Sequence, residues 1–229
     1  TTEIYTLSLH DALPILERLS DFPRDGTVYV GTVRSKVASG SIVSMNLPHL
    51  PKGYRSITVD DIPGAKTIGQ TGQEVPVLAD GIVSYTGQPV ALIVGPELSR
   101  VAEAVSLARI RIAARPACYA GPVYDSDRIV DSRRMETANI DKALAGAAQV
   151  VQGEFMVGPH DHYYPEPQGS AAAFDYDKLV VFSSTQWPFH VRDSVASVLG
   201  VRQDEVIVRP TILGPHLDEI GRASCRERV

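Results

Sequence analysis

Apolar residues along this chain fall in short, β-branched runs separated by clusters of Gly, Pro and Asp. Residues 27–34 (TVYVGTVR) and 41–47 (SIVSMNL) alternate in part and carry Val, Ile and Thr, which predicts strands. Pro48, Pro51 and Gly53 mark a loop. Residues 56–59 make a short strand, and Asp60-Asp61-Ile62-Pro63-Gly64 a turn with Pro before Gly. A polar stretch runs on to Val75. Residues 81–85 and 90–95 (VALIVG) predict a hairpin around 86–89, its second strand apolar throughout and so buried on both faces.

Residues 97–108 place Leu98, Val101, Ala102, Val105 and Ala108 on one stripe at helical spacing. Residues 109–114 (RIRIAA) alternate strictly, so strand, helix and strand follow in order as a βαβ-like unit. Residues 118–137 are irregular, and 140–148 read as a short helix opened by Asn139. A second unit starts near Gln149, with a strand over 150–157 and a loop over 158–169 that carries PHDHYYPEPQ. Strands over 170–174 and 178–183 flank an Asp-Tyr-Asp turn. Residues 186–199 open at Trp187-Pro188 and form a helix with Val191, Val195, Val198 and Leu199 inward. Gly200 ends it, and 205–208 is the next strand.

The two ends break this pattern. Residues 1–15 read TTEIYTLSLHDALPI and residues 219–229 read EIGRASCRERV. One DNA string can encode Thr6 to Ile15, and the reverse complement of that string with its flanking bases, preceded by one G, encodes residues 219–229. Ends related in this way are what a ligated adaptor leaves on both sides of an insert, and the string resembles that of short-read sequencing libraries. Residues 1–15 and 219–229 are therefore expected to be translated adaptor, to be set aside from fold reasoning.

Charge and cysteine content change little about the class. The chain is 44% hydrophobic and 21% charged, too apolar for a disordered polymer. Its 22 basic and 27 acidic residues give no surplus that would favour nucleic acid. No apolar run is long enough for a membrane span. Without the tails, three arginines and four carboxylates go, the net charge moves from −5 to −4, and Cys118 is left alone. A lone cysteine suits a reducing compartment, so a cytoplasmic location is expected.

Three groups could carry chemistry. His160 and His162, at i and i+2 with Glu166 nearby, could line a pocket, hold a metal or serve a structural loop. Gln186 lies in Ser183-Ser184-Thr185-Gln186-Trp187-Pro188, a strand-to-helix junction of the kind where α/β proteins bind ligands. Its carboxamide accepts and donates without titrating. Cys118 has no His partner at recognisable spacing and reads as structural or incidental. Glycine-rich phosphate loops, His-Glu-x-x-His, Gly-x-Ser-x-Gly and cysteine clusters for zinc or iron–sulfur centres do not occur.

The order of segments resembles the molybdenum-binding subunit of the xanthine dehydrogenase/aldehyde oxidase family. Tyr29-Val30-Gly31-Thr32-Val33-Arg34-Ser35 looks like that family's opening strand, Val59-Asp60-Asp61-Ile62-Pro63-Gly64 like its Asp-Ile-Pro-Gly turn, and Val83 to Val94 like its Gly-Gln-Pro segment. Val151-Gln152-Gly153-Glu154-Phe155, His162-x-x-x-Glu166-Pro167 and Ser184-Thr185-Gln186 are similar to the start of its molybdopterin-binding domain. The resemblance implies an α+β fold. An a/b hammerhead domain would span about 24–145, and the truncated start of a molybdopterin-binding α/β domain 149–218.

It further implies an oxidoreductase that hydroxylates an aldehyde or N-heterocycle with oxygen from water. A molybdenum–molybdopterin cofactor would do the hard step, and electrons would leave through 2Fe–2S clusters and FAD on partner domains or subunits. It places at Gln186 the hydrogen bond that steadies the molybdenum's oxo ligand. It gives His160, His162 and Glu166 no chemical role, and it assigns neither a catalytic residue nor a protein metal ligand. The family's glycine-rich loop is not matched at Leu213-Gly214-Pro215-His216-Leu217-Asp218, and its glutamate base lies further along, so this stretch alone is expected to be inactive. A non-catalytic interaction module that keeps the hammerhead, and a small metalloenzyme using His160, His162 and Glu166, are the alternatives. For the tails the expectation is concrete. Sequencing the locus from genomic DNA with a different library chemistry returns other residues at both ends; the same tails would refute an adaptor origin.

Overall fold

The computed structural model describes residues 3–8, 26–70, 73–117, 139–154 and 169–211. In chain order the strands are β1 (Glu3–Ser8), β2 (Val28–Arg34), β3 (Gly40–Asn46), β4 (Arg55–Ile57), β5 (Thr67–Gln70), β6 (Gln73–Pro76), β7 (Ile82–Val83) and β8 (Pro89–Gly95). Helix α1 (Leu98–Leu107), β9 (Arg109–Ala114) and helix α2 (Ile140–Ala145) follow. Then come β10 (Gly169–Asp175), β11 (Lys178–Ser183), helix α3 (Pro188–Leu199) and β12 (Val206–Pro210). The chain divides into two compact units, one of Thr1–Ala117 with Tyr163–Val229 and one of Cys118–His162. No helix among the described residues is long and apolar enough to cross a membrane.

In the first unit a seven-stranded mixed sheet runs in the order β12-β11-β10-β1-β2-β8-β4. A three-stranded antiparallel sheet has the order β7-β3-β9, and β5 pairs with β6 as a hairpin. Helix α1 lies on β2 and β8, where Val33, Ala91, Ile93, Val101 and Ala104 form one core. A Cβ on Gly31 would come within 2.8 Å of the Val101 and Val105 methyls, so glycine sets how closely α1 approaches β2. A second cluster, Ala79, Val83 and Val90 with Ile42, Met45, Ile110 and Ile112, joins β8 to the three-stranded sheet. A third, Val181, Ala196 and Val206, packs α3 on β11 and β12.

Most predicted elements form, and the α+β class holds. Five details differ. The expected hairpin over 81–95 does not form, because β7 pairs with β3 while β8 pairs with β2 and β4. Its connecting turn is tied instead to Ser35 at the end of β2, with Ser35 N–H donating to Gln88 O and Gly87 N–H to Ser35 O. The βαβ-like unit of 90–114 is likewise split, since α1 carries the chain from the larger sheet to the smaller. On α1 the inward positions are Val101 and Ala104, while Leu98 and Ala102 are exposed. On α3 Ala196 is the buried residue and Leu199 is exposed. The strand expected over 150–157 is absent from its described part, where Val151 is 95% exposed and so lacks the packed face that favours a strand.

Two elements were not foreseen. The β5–β6 hairpin is built from a polar stretch whose strands are held by ladder bonds. Strand β1 pairs parallel with β10 and antiparallel with β2, and it falls in the stretch read as adaptor. Ladder hydrogen bonds use the backbone alone and fit any extended segment. In the second unit, the Asn139 side chain accepts from the Lys142 N–H and opens α2 as the sequence indicates.

Ile93 is fully buried at the centre of the α1 core. Ile93→Ala is expected to lower the unfolding free energy by about 2–5 kcal/mol, read from urea titration at constant m-value. A loss under ~1 kcal/mol would place the core elsewhere.

Candidate functional site

Strand β11 owes its place to Val180, Val181 and Phe182, all buried, and it runs parallel to β12. Parallel neighbours need a crossover, and α3 supplies it, so β11, α3 and β12 are a βαβ unit. The junction Ser184-Thr185-Gln186-Trp187 therefore lies at the carboxyl end of β11 and just before the first turn of α3. Pro188 occupies the first helical position, where its missing N–H costs nothing.

The junction is braced from both sides. Ser183 O accepts from the N–H of Thr185 at 2.9 Å and of Thr211 at 3.1 Å, which ties the end of β11 to the residue after β12. The hydroxyls of Ser184 and Thr211 lie 3.1 Å apart in hydrogen-bond contact, and Thr211 is buried. The Thr185 hydroxyl accepts from Trp187 N–H at 3.0 Å, holding the turn that carries Gln186. Gln186 itself is exposed, as are Trp187 and Phe189. The Trp187 and His190 rings stand 5.3 Å apart, and the Arg192 guanidinium lies over Phe189 at 5.3 Å.

The far end of α3 meets the turn at residues 58–65. Asp61 accepts from both the N–H and the hydroxyl of Thr58, at 2.8 and 3.1 Å, closing a capping box. The Thr58 N–H above all, and then its hydroxyl, hold the Asp61 carboxyl below the usual aspartate range. Beyond that box, Gly64 N–H donates to Val198 O and Ala65 N–H to Ser197 O, both at 2.9 Å.

Two family descriptions match the chain. Residues 18–116 match the a/b hammerhead domain of aldehyde oxidase and xanthine dehydrogenase, and residues 123–215 match the molybdopterin cofactor-binding domain. Among curated relatives, the chain is 29% identical to a xanthine dehydrogenase of Dictyostelium discoideum over 82% of its length. It is 26% identical to aldehyde oxidase 1 of Rattus norvegicus over 80%. The chain belongs to the xanthine dehydrogenase/aldehyde oxidase family. It spans 14% of the length of both relatives. Among solved structures its fold is that of the aldehyde oxidoreductase from Desulfovibrio gigas, with TM-score 0.71 and 20% identity over 86% of this chain and 25% of that one. The quinoline 2-oxidoreductase from Pseudomonas putida 86 gives TM-score 0.70 and 23% identity over 87% of this chain and 28% of that one.

In this family member the structure places Gln186 where its motif predicts, at a strand-to-helix junction. His160, His162, Glu166, Cys118 and the stretch 213–218 lie outside the described residues. Among the described residues no three His, Cys, Asp or Glu side chains gather to hold a metal. The junction instead offers a carboxamide, two hydroxyls and the positive end of α3, a donor set that suits an anionic organic group carrying its own metal ligands. Sequence reading missed Thr211, and it missed that the Asp-Ile-Pro-Gly turn serves α3. A pair of glycines, Gly64 and Gly200, was the only available signal.

The lowered pKa of Asp61 gives its effect on stability a definite sign. Its bonds to Thr58 contribute fully at neutral pH and are lost as pH falls through the lowered value. In an NMR titration the Thr58 amide is expected to inflect below ~3.9, the ordinary aspartate value, and to lose the inflection in Asp61→Asn. An inflection at or above that value would refute the capping bond.

Proposed function

We propose that this chain supplies part of the cofactor-facing wall of a cytoplasmic molybdenum hydroxylase that oxidises an aldehyde or N-heterocycle with oxygen from water. The observation that carries the reading is the placement of Ser184-Thr185-Gln186 at the carboxyl end of β11 in a βαβ crossover, within residues matching a molybdopterin cofactor-binding domain. When bound, the molybdenum–molybdopterin group supplies oxygen transfer and two-electron chemistry, with electrons passing to 2Fe–2S and FAD domains or subunits. The part of the chain is to bind and orient. Gln186 presents a donor and an acceptor that do not titrate, so it would hold the group without itself gaining or losing a proton. Thr185 and the Ser184–Thr211 pair fix the backbone beneath it. The helix positive end at Pro188 favours the anionic group, and the stretch alone, lacking the glutamate base, is inactive.

Expression of the complete gene in a host that makes the sulfurated cofactor tests this reading. The enzyme is expected to carry molybdenum, and Gln186→Ala to lower kcat roughly hundredfold while keeping the metal. Metal-free protein despite cofactor supply, or unchanged kcat in Gln186→Ala, would overturn it.

A further inference from the structure

We propose that the turn at residues 58–65 is a positioning element for the Gln186 junction, acting through α3, with Gly64 as its indispensable residue. The proposal rests on the reading of Gln186 given above. A helix leaves its last carbonyls unpaired. In α3 the Ala196 carbonyl is taken by the N–H groups of Gly200 and Val201, with Gly200 in the left-handed conformation at φ 67°. Of the next two, Ser197 O accepts from Ala65 N–H at 2.9 Å beside a longer bond from Gly200 N–H at 3.3 Å, and Val198 O accepts from Gly64 N–H at 2.9 Å. The bonds from Ala65 and Gly64 come from a segment of the hammerhead match, while α3 lies in the cofactor-binding match.

The contact tolerates no side chain at Gly64. A Cβ there would sit 2.2 Å from Ser197 O, 2.6 Å from Gly200 N and 2.8 Å from Val198 O. All three are backbone atoms of the end of α3, so none can swing aside. Opposite, a Cβ on Gly200 would meet the Gly64 Cα at 3.6 Å. The turn is preformed by the Thr58–Asp61 box and by Pro63, so it acts as a fixed stop. Packing of Val195 and Ala196 on β11 and β12 holds α3 against the sheet. The stop fixes the position of α3 along its own axis. Over its twelve residues the helix is about 18 Å long and stiff, so displacement at Val198 reaches Trp187 and the adjoining Gln186. A shift of about 1 Å in a positioning group is enough to cost roughly hundredfold in rate.

The test uses the cofactor-loaded complete enzyme and four variants: Gly64→Ala, Asp61→Ala, Gln186→Ala, and the control Gly69→Ala, where a Cβ meets open space. Two readouts are taken, the molybdenum(V) electron paramagnetic resonance signal and hydrogen exchange of the α3 amides in metal-free protein. Gly64→Ala is expected to alter the signal as Gln186→Ala does, with molybdenum retained, kcat lowered about tenfold or more and KM little changed. It should also speed exchange in the last turn of α3 by about fivefold, the loss of one ordinary hydrogen bond. Gly69→Ala should change neither. Should Gly64→Ala give no folded enzyme, Asp61→Ala, which adds no bulk, is read by the same criteria. An altered signal in Gln186→Ala beside a normal one in the turn variants overturns the positioning role alone, as does unchanged exchange. A normal signal in Gln186→Ala itself overturns the Gln186 reading and the proposal with it.

Discussion

The parallel pairing of β11 with β12 is the constraint on which the site depends. Two parallel neighbours cannot be joined by a tight turn, so the chain must leave the carboxyl end of β11, cross one face of the sheet and return. The crossing segment has to be a helix with an apolar side, and Val195 and Ala196 supply it. The polar residues that start the crossing are thereby left at the carboxyl end of β11, beside the positive end of the helix. A polar strand-to-helix junction is thus a by-product of topology. Chemistry needs only the choice of side chain there, and this chain has glutamine.

Close approach through glycine sets distances elsewhere. Gly31 lets α1 settle on β2, and Gly64 lets a loop reach the end of α3. In both places the neighbour is tightly held. At Gly31 it is a pair of valine methyls, which can give a little; at Gly64 it is backbone, which cannot. The two glycines look alike in sequence, yet a Cβ at the second would press on the backbone of a helix end.

What could be read from the sequence follows the range of the interactions. Strands β10 and β11, helices α1 and α3, the Asn139 cap and Gly200 as helix end all rest on local periodicity or on a neighbour within five residues. The junction carrying Gln186 was legible for the same reason, since strand, polar turn, Pro and helix follow in order. Partner choice was not legible. Residues 82–83 and 89–95 have the spacing of a hairpin, but Ser35 captures the turn between them and sends the strands to different sheets. The Gly64 contact lay beyond local pattern altogether, because the carbonyls that require it are on a helix far along the chain.

Glutamine illustrates the limit well. Gln88 and Gln186 each fall in a short family-like motif with a proline at the next position or the next but one. Gln88 is 1% exposed, its Oε1 accepts from Ser84 N–H at 2.7 Å, and its carbonyl takes Ser35 N–H. That amide is consumed in closing a turn, and burial would penalise any side chain there that left Ser84 unpaired. Gln186 is exposed, and the turn beneath it is closed by Thr185 and by the Ser184–Thr211 pair. The bracing of that turn thus comes from its neighbours, and Gln186 stands at the exposed point of the junction. Motif and residue type were equal at the two positions; burial and the identity of the groups that close each turn separate a glutamine spent inside the fold from one at the surface of a junction.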